Sequence, residues 1–152
     1  MKELDTVFDQ LISTYSRSEF EERLENVDET QARARPIEGR HTIWEIVNHC
    51  TYWMEAAIGA VNGEEMPPRG GDWPPMGERE KTWREDQARL GRVFDGLGES
   101  VTGLDGGRLH EMVPGGHYPY SLFQMFFRVA YHNIYHAGQI AILRKRTLRI
   151  GS

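Results

Sequence analysis

The sequence predicts an all-α fold, namely a four-helix bundle with long connections after the second and third helices. The first observation is that apolar residues recur at steps of three and four in four separate stretches, which is the spacing of one helix face. The second is that residues 64–77 hold four prolines and three glycines, while residues 102–119 are also rich in glycine. Such segments form neither helix interiors nor central strands, so we interpret them as connections.

Local signals mark the ends of these helices. The second helix begins with Thr42-x-x-Glu45 and the fourth with Ser121-x-x-Gln124, and both patterns fit the capping box that starts many helices. Asn62-Gly63 ends the second helix, because glycine readily adopts the backbone conformation that closes a helix. The predicted helices run approximately from Lys2 to Asn26, from Thr42 to Asn62, from Glu78 to Val101 and from Ser121 to Arg146.

Length and composition limit the class of protein. A chain of 152 residues, of which 39% are hydrophobic, suits a single core, so we expect residues 1–152 to form one domain. No apolar run approaches the roughly 20 residues that span a bilayer. The acidic, amphipathic N-terminus does not fit a secretory signal either. These features predict a cytoplasmic protein that does not bind membranes.

The charge distribution argues against nucleic-acid binding. The net charge is −5, and the one cluster of cations, within residues 144–149, complements the dipole at the end of the last helix. The single cysteine, Cys50, cannot form an intrachain disulfide, and its place on an apolar helix face indicates a small buried thiol. We therefore expect a small molecule as the substrate and no nucleic acid as a partner.

The most informative feature is a polar segment within the apolar face of the fourth helix. At steps of three and four, the residues on this face are Leu122, Met125, Val129, His132, His136, Gln139 and Leu143. A buried imidazole without a partner is costly, so a group in the bundle centre must satisfy these side chains. Histidines four residues apart project from the same face and can share a metal ion. The alternative is that such a pair lies in the core or on the surface and binds nothing.

His49 is the third candidate ligand. It lies at the edge of the apolar face of the second helix, and a bundle that opposes helices two and four would bring it to His132 and His136. Three imidazoles with an open fourth position form the usual catalytic zinc site, although nickel, iron or manganese also fit such a donor set. The alternative for His49 is a half-buried histidine that is hydrogen-bonded to a backbone carbonyl.

Three segments of the chain resemble the DinB/YfiT-like superfamily, and together they span nearly its whole length. The segment from His41 to His49, HTIWEIVNH, followed by Tyr52-Trp53, is similar to the second-helix signature of that family. The segment YHNIYHAGQI, at residues 131–140, is similar to the fourth-helix signature and is the most specific of the three. The tract Asp72-Trp-Pro-Pro75, which leads to Trp83, is similar to the middle of many members.

The resemblance implies a DinB/YfiT-like four-helix bundle, commonly a homodimer, in which three histidines hold a divalent metal ion. Carried over to this sequence, the ligands are His49, His132 and His136, and all three positions are intact. Members with assigned activities include metal-dependent thiol S-transferases, which join bacillithiol or mycothiol to electrophiles, and a thiol-dependent isomerase. Many members have no assigned activity.

Two residues beside these histidines are candidates for a catalytic role. Glu45 lies one turn before His49 and could act as a general base or accept a hydrogen bond, but its place in the capping box also explains it. Gln139 lies one turn beyond His136 and could donate to a metal-bound water or to a backbone carbonyl. We assign no other cofactor-binding residues.

Other polar and aromatic residues receive structural interpretations. We expect His41 in the loop before the second helix and Asn48 facing away from the core. His110 and His117 lie in the second long connection, where neither is expected to bind a ligand. Trp73 is expected to pack against the bundle and could also cover a pocket at one end.

The fourth helix carries a second apolar surface. Phe123, Phe127, Tyr131 and Ile134 lie on the side away from the histidines, and a helix that is apolar on two sides is buried on two sides. Either a long connection or a second subunit covers this surface. We expect a homodimer, because homodimers are the commonest oligomers.

The sequence thus predicts a divalent-metal-binding protein, with zinc or nickel as the expected ion. The leading hypothesis is a metal-dependent enzyme of thiol S-transferase or hydrolase type that acts on a small molecule, with a low-molecular-weight thiol among the candidates. One alternative is a non-catalytic metal-binding or stress-related homodimer in which the ion stabilises the bundle. The other is a plain helical module whose histidines satisfy one another without an ion.

Overall fold

The structure, a computed structural model, describes residues 10–150. Its five α-helices are α1 (Ser16–Leu24), α2 (Glu29–Arg33), α3 (Ile43–Val61), α4 (Trp83–Thr102) and α5 (Leu122–Ile150). A π-helical segment, Gln10–Tyr15, leads into α1, and 3-10 turns occupy Glu78–Glu80 and Gly106–His110. No strand occurs in the described range, and none of its helices is both long and apolar enough to cross a membrane.

The predicted all-helical class is confirmed, and the predicted capping boxes are present. At the start of α3, Thr42 Oγ1 accepts a hydrogen bond from the backbone N–H of Glu45, and the Glu45 carboxylate accepts one from the backbone N–H of Thr42. Ser121 and Gln124 exchange the same pair of hydrogen bonds before α5. This last helix continues to Ile150, one turn beyond the predicted end.

Two predicted helix boundaries are wrong. The first helix ends at Leu24, because the chain turns at Asn26 with a left-handed φ of 59°. The third predicted helix starts too early at Glu78, since the regular helix α4 begins only at Trp83. A capping box between Thr82 and Glu85 sets this start.

The short helix α2 is absent from the sequence prediction. It starts at a further capping box, in which the Asp28 side chain accepts from the backbone of Gln31 and the Gln31 side chain accepts from that of Asp28. The spacing Asp28-x-x-Gln31 was therefore a usable signal. The part of the first predicted helix that covers residues 2–9 lies outside the described residues.

The longer helical segments contact one another in a ring. Helix α3 contacts both α4 and α5, α1 contacts α5, and the π-helical segment before α1 contacts both α4 and α5. The short α2 lies against α3 and α4. Helices α3 and α5 are therefore direct neighbours, which a site shared between them requires.

The core combines the apolar helix faces with one buried carboxylate. On α5, Leu122, Met125 and Leu143 are at most 4% exposed, so the predicted apolar face does point inward. Trp44 on α3 is fully buried, and its indole N–H donates to the carboxylate of Asp86 at 2.7 Å. This bond joins α3 to α4 and gives the buried acid a partner.

The two long connections meet beside α3 and α5. The first spans residues 62–82 and the second spans residues 103–121. The hydroxyl of Tyr118, in the second connection, donates to the carbonyl of Pro67, in the first, at 2.9 Å. Loop residues far apart in the sequence are thereby brought to the same side of the helices.

Candidate metal centre

Three histidines bring one ring nitrogen each to a single point between α3 and α5. Nε2 of His132 lies 2.9 Å from Nε2 of His49 and 3.0 Å from Nε2 of His136. One nitrogen of each ring lies within 4.8 Å of the other two, so the three side chains could hold one metal ion. His49 comes from α3, and the other two lie one turn apart on α5.

The cluster is largely shielded from solvent. His49 and His136 are each 5% exposed, and His132 is partly buried. The planes of the three rings are inclined to one another by 53° to 79°, so nitrogen atoms rather than ring faces meet at the centre. Because these ring nitrogens are shielded from water, they need a hydrogen-bond partner from the protein or a bound ligand.

A loop carbonyl fixes the ring of His49. Nδ1 of this histidine lies 2.6 Å from the backbone oxygen of Asp72, in the first connection. Gly70 and Gly71 precede Asp72 with φ values of +105° and +70°, which residues with a Cβ rarely adopt. Because a carbonyl oxygen only accepts hydrogen bonds, Nδ1 carries the proton and Nε2 presents its lone pair to the centre.

Two side chains of α3 attach this loop segment to the helix. The indole N–H of Trp53 donates to the carboxylate of Asp72 at 2.9 Å. The side-chain amide of Asn48 donates to the carbonyl of Pro75 at 3.1 Å. The acceptor of the His49 ring is therefore held in place by the same helix that carries His49.

Trp73 covers the His49 ring from the loop side. Its ring stacks on that of His49, with centroids 3.8 Å apart and planes 3° apart. It also stacks on His41, with centroids 3.5 Å apart and planes 5° apart, so the indole lies between two imidazoles. Its ring meets that of His136 edge-on at 5.8 Å. Trp73 thus restricts the orientation of His49 and keeps water from one side of the cluster.

Gln139 orients His136 within the same helix. Nδ1 of His136 donates to Oε1 of Gln139 at 2.6 Å, and Nε2 of Gln139 donates to the hydroxyl of Tyr135 at 3.0 Å. Residues three apart on a helix are neighbours, which explains the contact. The sequence analysis placed Gln139 near the site but expected it to donate to water or a backbone carbonyl, whereas it accepts from His136.

The three histidines cannot fully satisfy one another. The Nδ1 atoms of His49 and His136 carry the protons of these rings, so both Nε2 atoms are acceptors while the rings are neutral. His132 then has one proton to share between two acceptors. Its own Nδ1 is buried and has no hydrogen-bond partner among residues 10–150. The cluster therefore lacks a donor, and a metal cation can take the donor's place by accepting all three lone pairs.

Burial keeps the three rings neutral. Desolvation lowers the pKa of His132 to about 3 and that of His136 to about 4, and it also lowers the pKa of His49. For His132, repulsion by charge on its two partners adds to this lowering. The neutral imidazole is the form that binds metal ions, so the protein holds the cluster ready for an ion at neutral pH.

A cavity of about 470 Å³ opens onto the cluster. His49 and His132 contribute to its wall, together with Asp72, Tyr131 and Tyr135. Most of the remaining wall is apolar or aromatic and consists of Trp53, Met66, Tyr118, Tyr120, Met125 and Val129. An apolar wall with a few convergent polar groups is typical of a site for small molecules.

Glu45 does not line this cavity. Its carboxylate accepts from the backbone N–H of Thr42 at 2.8 Å and from Arg35 at 2.9 Å, and it lies 3.3 Å from Nδ1 of His41. Burial alone would raise the pKa of Glu45, but the hydrogen bonds from Thr42 and Arg35 outweigh burial and lower it. These contacts account for Glu45 as a capping and ion-pairing residue, and its role as a general base stays a prediction.

Several other expectations can be compared with the structure. His110 and His117 are exposed and lie outside the histidine cluster. His41 precedes α3 and is exposed, as expected, but its stacking on Trp73 is new. Cys50 is fully buried, and burial raises the pKa of its thiol well above the ordinary value, which makes the thiol unreactive.

The sequence analysis missed the groups that hold the cluster from the loop. The expectation that Asn48 faces away from the core is wrong, because Asn48 is 3% exposed and binds the first connection. The contact of Asp72 with His49 is made by a backbone atom, which has no residue signature. The only usable signal was the tract from Gly70 to Pro75, where a glycine pair precedes residues that resemble the middle of many DinB/YfiT-like proteins.

Comparison with known proteins is consistent with this geometry. A family model described as the DinB superfamily matches residues 13–140, a range that includes all three histidines. The chain belongs to the DinB superfamily. No match is found among curated proteins or among solved structures. The resemblance stated from the sequence is therefore confirmed for this DinB protein at the level of the family.

The metal-free protein is expected to lose stability as the pH falls from about 7 to about 5. Because the pKa values of the three histidines are lowered on folding, the unfolded chain binds protons in this range that the folded chain does not. The free energy of unfolding therefore decreases below about pH 6.5, by at most about 1.4 kcal/mol per pH unit for each histidine. Urea unfolding in the presence of a chelator measures this decrease.

The variant His132→Gln provides the control for this prediction, because it removes the histidine with the lowest pKa. Its unfolding free energy should depend less steeply on pH than that of the wild type, since carboxylates titrate equally in both proteins. Identical slopes for the two proteins would show that the folded state does not suppress protonation of His132.

Proposed function

We propose that this DinB protein binds one divalent metal ion through Nε2 of His49, His132 and His136. The observation that carries the proposal is the convergence of these three nitrogens, 2.9 and 3.0 Å from the central one, with too few protons to bond them to each other. The carbonyl of Asp72 and the amide oxygen of Gln139 support it, because both hold a ring in the tautomer that a ligand needs.

The donor set fits zinc or nickel. Neutral imidazoles suit both ions, and so do the depressed pKa values of the cluster. Nitrogen ligands that lie about 2.0–2.1 Å from a tetrahedral ion are about 3.3 Å apart, which is close to the two short contacts of His132.

We infer that the ion serves catalysis rather than structure alone. Among the described residues the cluster offers three ligands, one fewer than the closed four-ligand shell of a structural zinc site. The cavity reaches His49 and His132, so a small molecule has access to the centre. When bound, the ion would act as a Lewis acid that activates a thiol or a water molecule at neutral pH. The inferred activity is that of a thiol S-transferase or a hydrolase.

The surrounding residues would bind and orient the reactants. Trp73 keeps water from one face of His49, and much of the cavity wall is apolar or aromatic. Tyr135 lines the cavity and accepts a hydrogen bond from Gln139, so its own hydroxyl proton is directed away from Gln139. We propose that this hydroxyl donates a hydrogen bond to an oxygen or sulfur atom of a substrate in the cavity.

We also propose that the helices form a four-helix bundle, that residues 1–152 are a single domain, and that the protein is cytoplasmic and a homodimer. The support for the homodimer lies on α5, where Phe127, Tyr131 and Ile134 are 51%, 67% and 39% exposed in the single chain. Large apolar side chains that are adjacent and exposed are typical of a protein interface. This surface lies beside the cavity, since Tyr131 belongs to both.

The protein purified without chelators should contain about one metal ion per chain, as elemental analysis would measure. His49→Ala, His132→Ala and His136→Ala should each lose stoichiometric metal, because two imidazoles alone bind an ion far more weakly. The variants His110→Ala and His117→Ala are matched controls, since both residues are exposed and outside the cluster. A folded ligand variant that keeps its full metal content would remove that residue from the site.

The same preparations decide whether the ion is catalytic. Assays with a low-molecular-weight thiol and an electrophile measure S-transfer, and assays with an activated ester measure hydrolysis. The rate should disappear with a chelator, return with zinc or nickel, and be low in His132→Ala. Metal-loaded and metal-free proteins with equal rates would contradict a catalytic ion and favour a purely structural one.

Replacing Gln139 should weaken metal binding without removing a ligand. In Gln139→Leu the Nδ1 proton of His136 loses its acceptor, and loss of such a partner weakens metal affinity about 10–100-fold. Gln139→Glu keeps an acceptor oxygen and should stay close to the wild type. Competition with a chromophoric chelator measures both affinities, and equal affinity for Gln139→Leu and wild type would rule out this orienting role.

The homodimer is tested by charges placed on the exposed side of α5. Sedimentation equilibrium should give a dimer for the wild type and a monomer for the double variant Phe127→Glu, Ile134→Glu, because buried unpaired carboxylates are costly. Arg92→Glu, at an exposed position of α4, is the control that adds an acid elsewhere. A wild-type monomer, or a double variant that remains dimeric, would contradict the proposed interface.

A further inference from the structure

Two arginines face the cavity that opens onto the histidines. Arg69, from the first connection, and Arg128, from α5, both line its wall. They are 59 positions apart in the sequence, and only the packing of the connections against α5 brings them to one cavity. Both side chains are exposed to solvent, so a small molecule can reach their guanidinium groups.

Neither of these arginines has an acidic partner in the part of the chain that the structure describes. Six other arginines of the described chain form ion pairs with carboxylates, namely Arg17, Arg23, Arg33, Arg35, Arg89 and Arg108. No carboxylate within residues 10–150 lies at ion-pair distance from Arg69 or Arg128. The acid nearest to the centre, Asp72, already accepts from the indole N–H of Trp53.

Aromatic rings hold both guanidinium groups at the cavity wall. Arg69 lies over the ring of Tyr118 at 5.9 Å, and Arg128 lies over the ring of Tyr120 at 5.0 Å. The two tyrosine rings are themselves 5.2 Å apart, so the four side chains form one continuous group. Stacking of this kind leaves the N–H groups at the edge of a guanidinium free to bind an anion.

We propose that the cavity takes a substrate with a flat apolar body and an oxyacid anion, a carboxylate or a phosphate, that Arg69 and Arg128 bind. The inference rests on the proposed metal function and assigns the substrate class of that same site. The anion would lie at the two arginines, and the reacting part of the molecule would extend toward His49 and His132.

Charge and shape both favour this class of substrate. The cavity wall carries two arginines, Arg69 and Arg128, and one carboxylate, that of Asp72. A bound divalent ion would add to the positive charge. Tyr118, Tyr120, Tyr131 and the other aromatic residues of the wall offer flat apolar surfaces. An anion with an apolar body therefore finds complementary groups along the whole cavity.

Benzoate, phenyl phosphate and benzamide are suitable probes, because they share a flat ring and differ in charge. Ligand-observed NMR titrations of the protein as purified should give a dissociation constant for at least one anion that is about tenfold or more below that of benzamide. The tighter of the two anions identifies the oxyacid as a carboxylate or a phosphate. Binding of benzamide as tight as that of both anions would overturn the proposal.

Single variants locate the binding groups. Arg69→Gln and Arg128→Gln should each raise the dissociation constant of the preferred anion about tenfold or more and leave that of benzamide unchanged. Arg92→Gln, which removes an exposed arginine outside the cavity, is the matched control and should have no effect. Unchanged anion binding in both cavity variants, or an equal loss in Arg92→Gln, would overturn the proposal.

Repeating the titration after chelation separates this inference from the metal proposal. Anion preference that survives chelation and is lost in the arginine variants assigns the anion to the arginines and not to the ion. Preference that vanishes on chelation would overturn the arginine site while leaving the metal site intact. Elemental analysis of the arginine variants completes the separation, since their metal content should equal that of the wild type.

Discussion

The hydrogen bond from Nδ1 of His49 to the carbonyl of Asp72 connects the helices to the loop that covers them. It decides which nitrogen of His49 is free, and it fixes the loop at one point above α3. The next residue along the chain, Trp73, is then placed flat against the same imidazole. Arg69 and Gly70, which precede this loop segment, line the cavity. The carbonyl of Asp72 thus fixes the tautomer of His49, the position of Trp73 over the site and part of the cavity wall.

A layer of polar side chains between α3 and α5 lowers the stability of the fold unless its buried nitrogen atoms have partners. An apolar side chain at His132 would pack without an unpaired nitrogen, whereas the histidine leaves its buried Nδ1 without a partner in the described chain. The lowered pKa values of His132 and His136 have the same origin. The folded protein disfavours the protonated imidazole, which forms more readily in water. Proteins depart from an apolar core in this way mainly at functional sites. An ion that takes up the three lone pairs would offset the cost.

The helices and the three histidines could be predicted because both depend on local periodicity. Steps of three and four located the apolar faces, and capping boxes located the starts of α3 and α5. The start of α4 was missed although Thr82 and Glu85 carry the same signal, because the charged residues 78–81 also suit a helix. The loop could not be predicted in this way. Its contacts use a backbone oxygen of Asp72 and a stacked ring of Trp73, and neither contact follows from residue spacing.

The arginines illustrate a second limit of sequence reasoning. Nothing in the segments around Arg69 and Arg128 relates one to the other, and each taken alone is an ordinary exposed residue. Their relation arises because Tyr118 donates to the carbonyl of Pro67 and so brings the second connection against the first. Burial also raises the pKa values of Tyr118 and Tyr120 against the opposing effect of the arginines, so both rings stay neutral beneath them.

The cavity wall therefore carries two kinds of binding group. The neutral, desolvated nitrogens of His49 and His132 suit a metal ion, and the permanently charged guanidinium groups of Arg69 and Arg128 suit an anion. A positive potential along the whole cavity would favour the ionised form of a thiol as well as the binding of an oxyacid. Since arginine stays charged at every physiological pH while free imidazole does not, binding and activation respond differently to acid. Mild acid would weaken metal binding at the histidines before it altered the arginines.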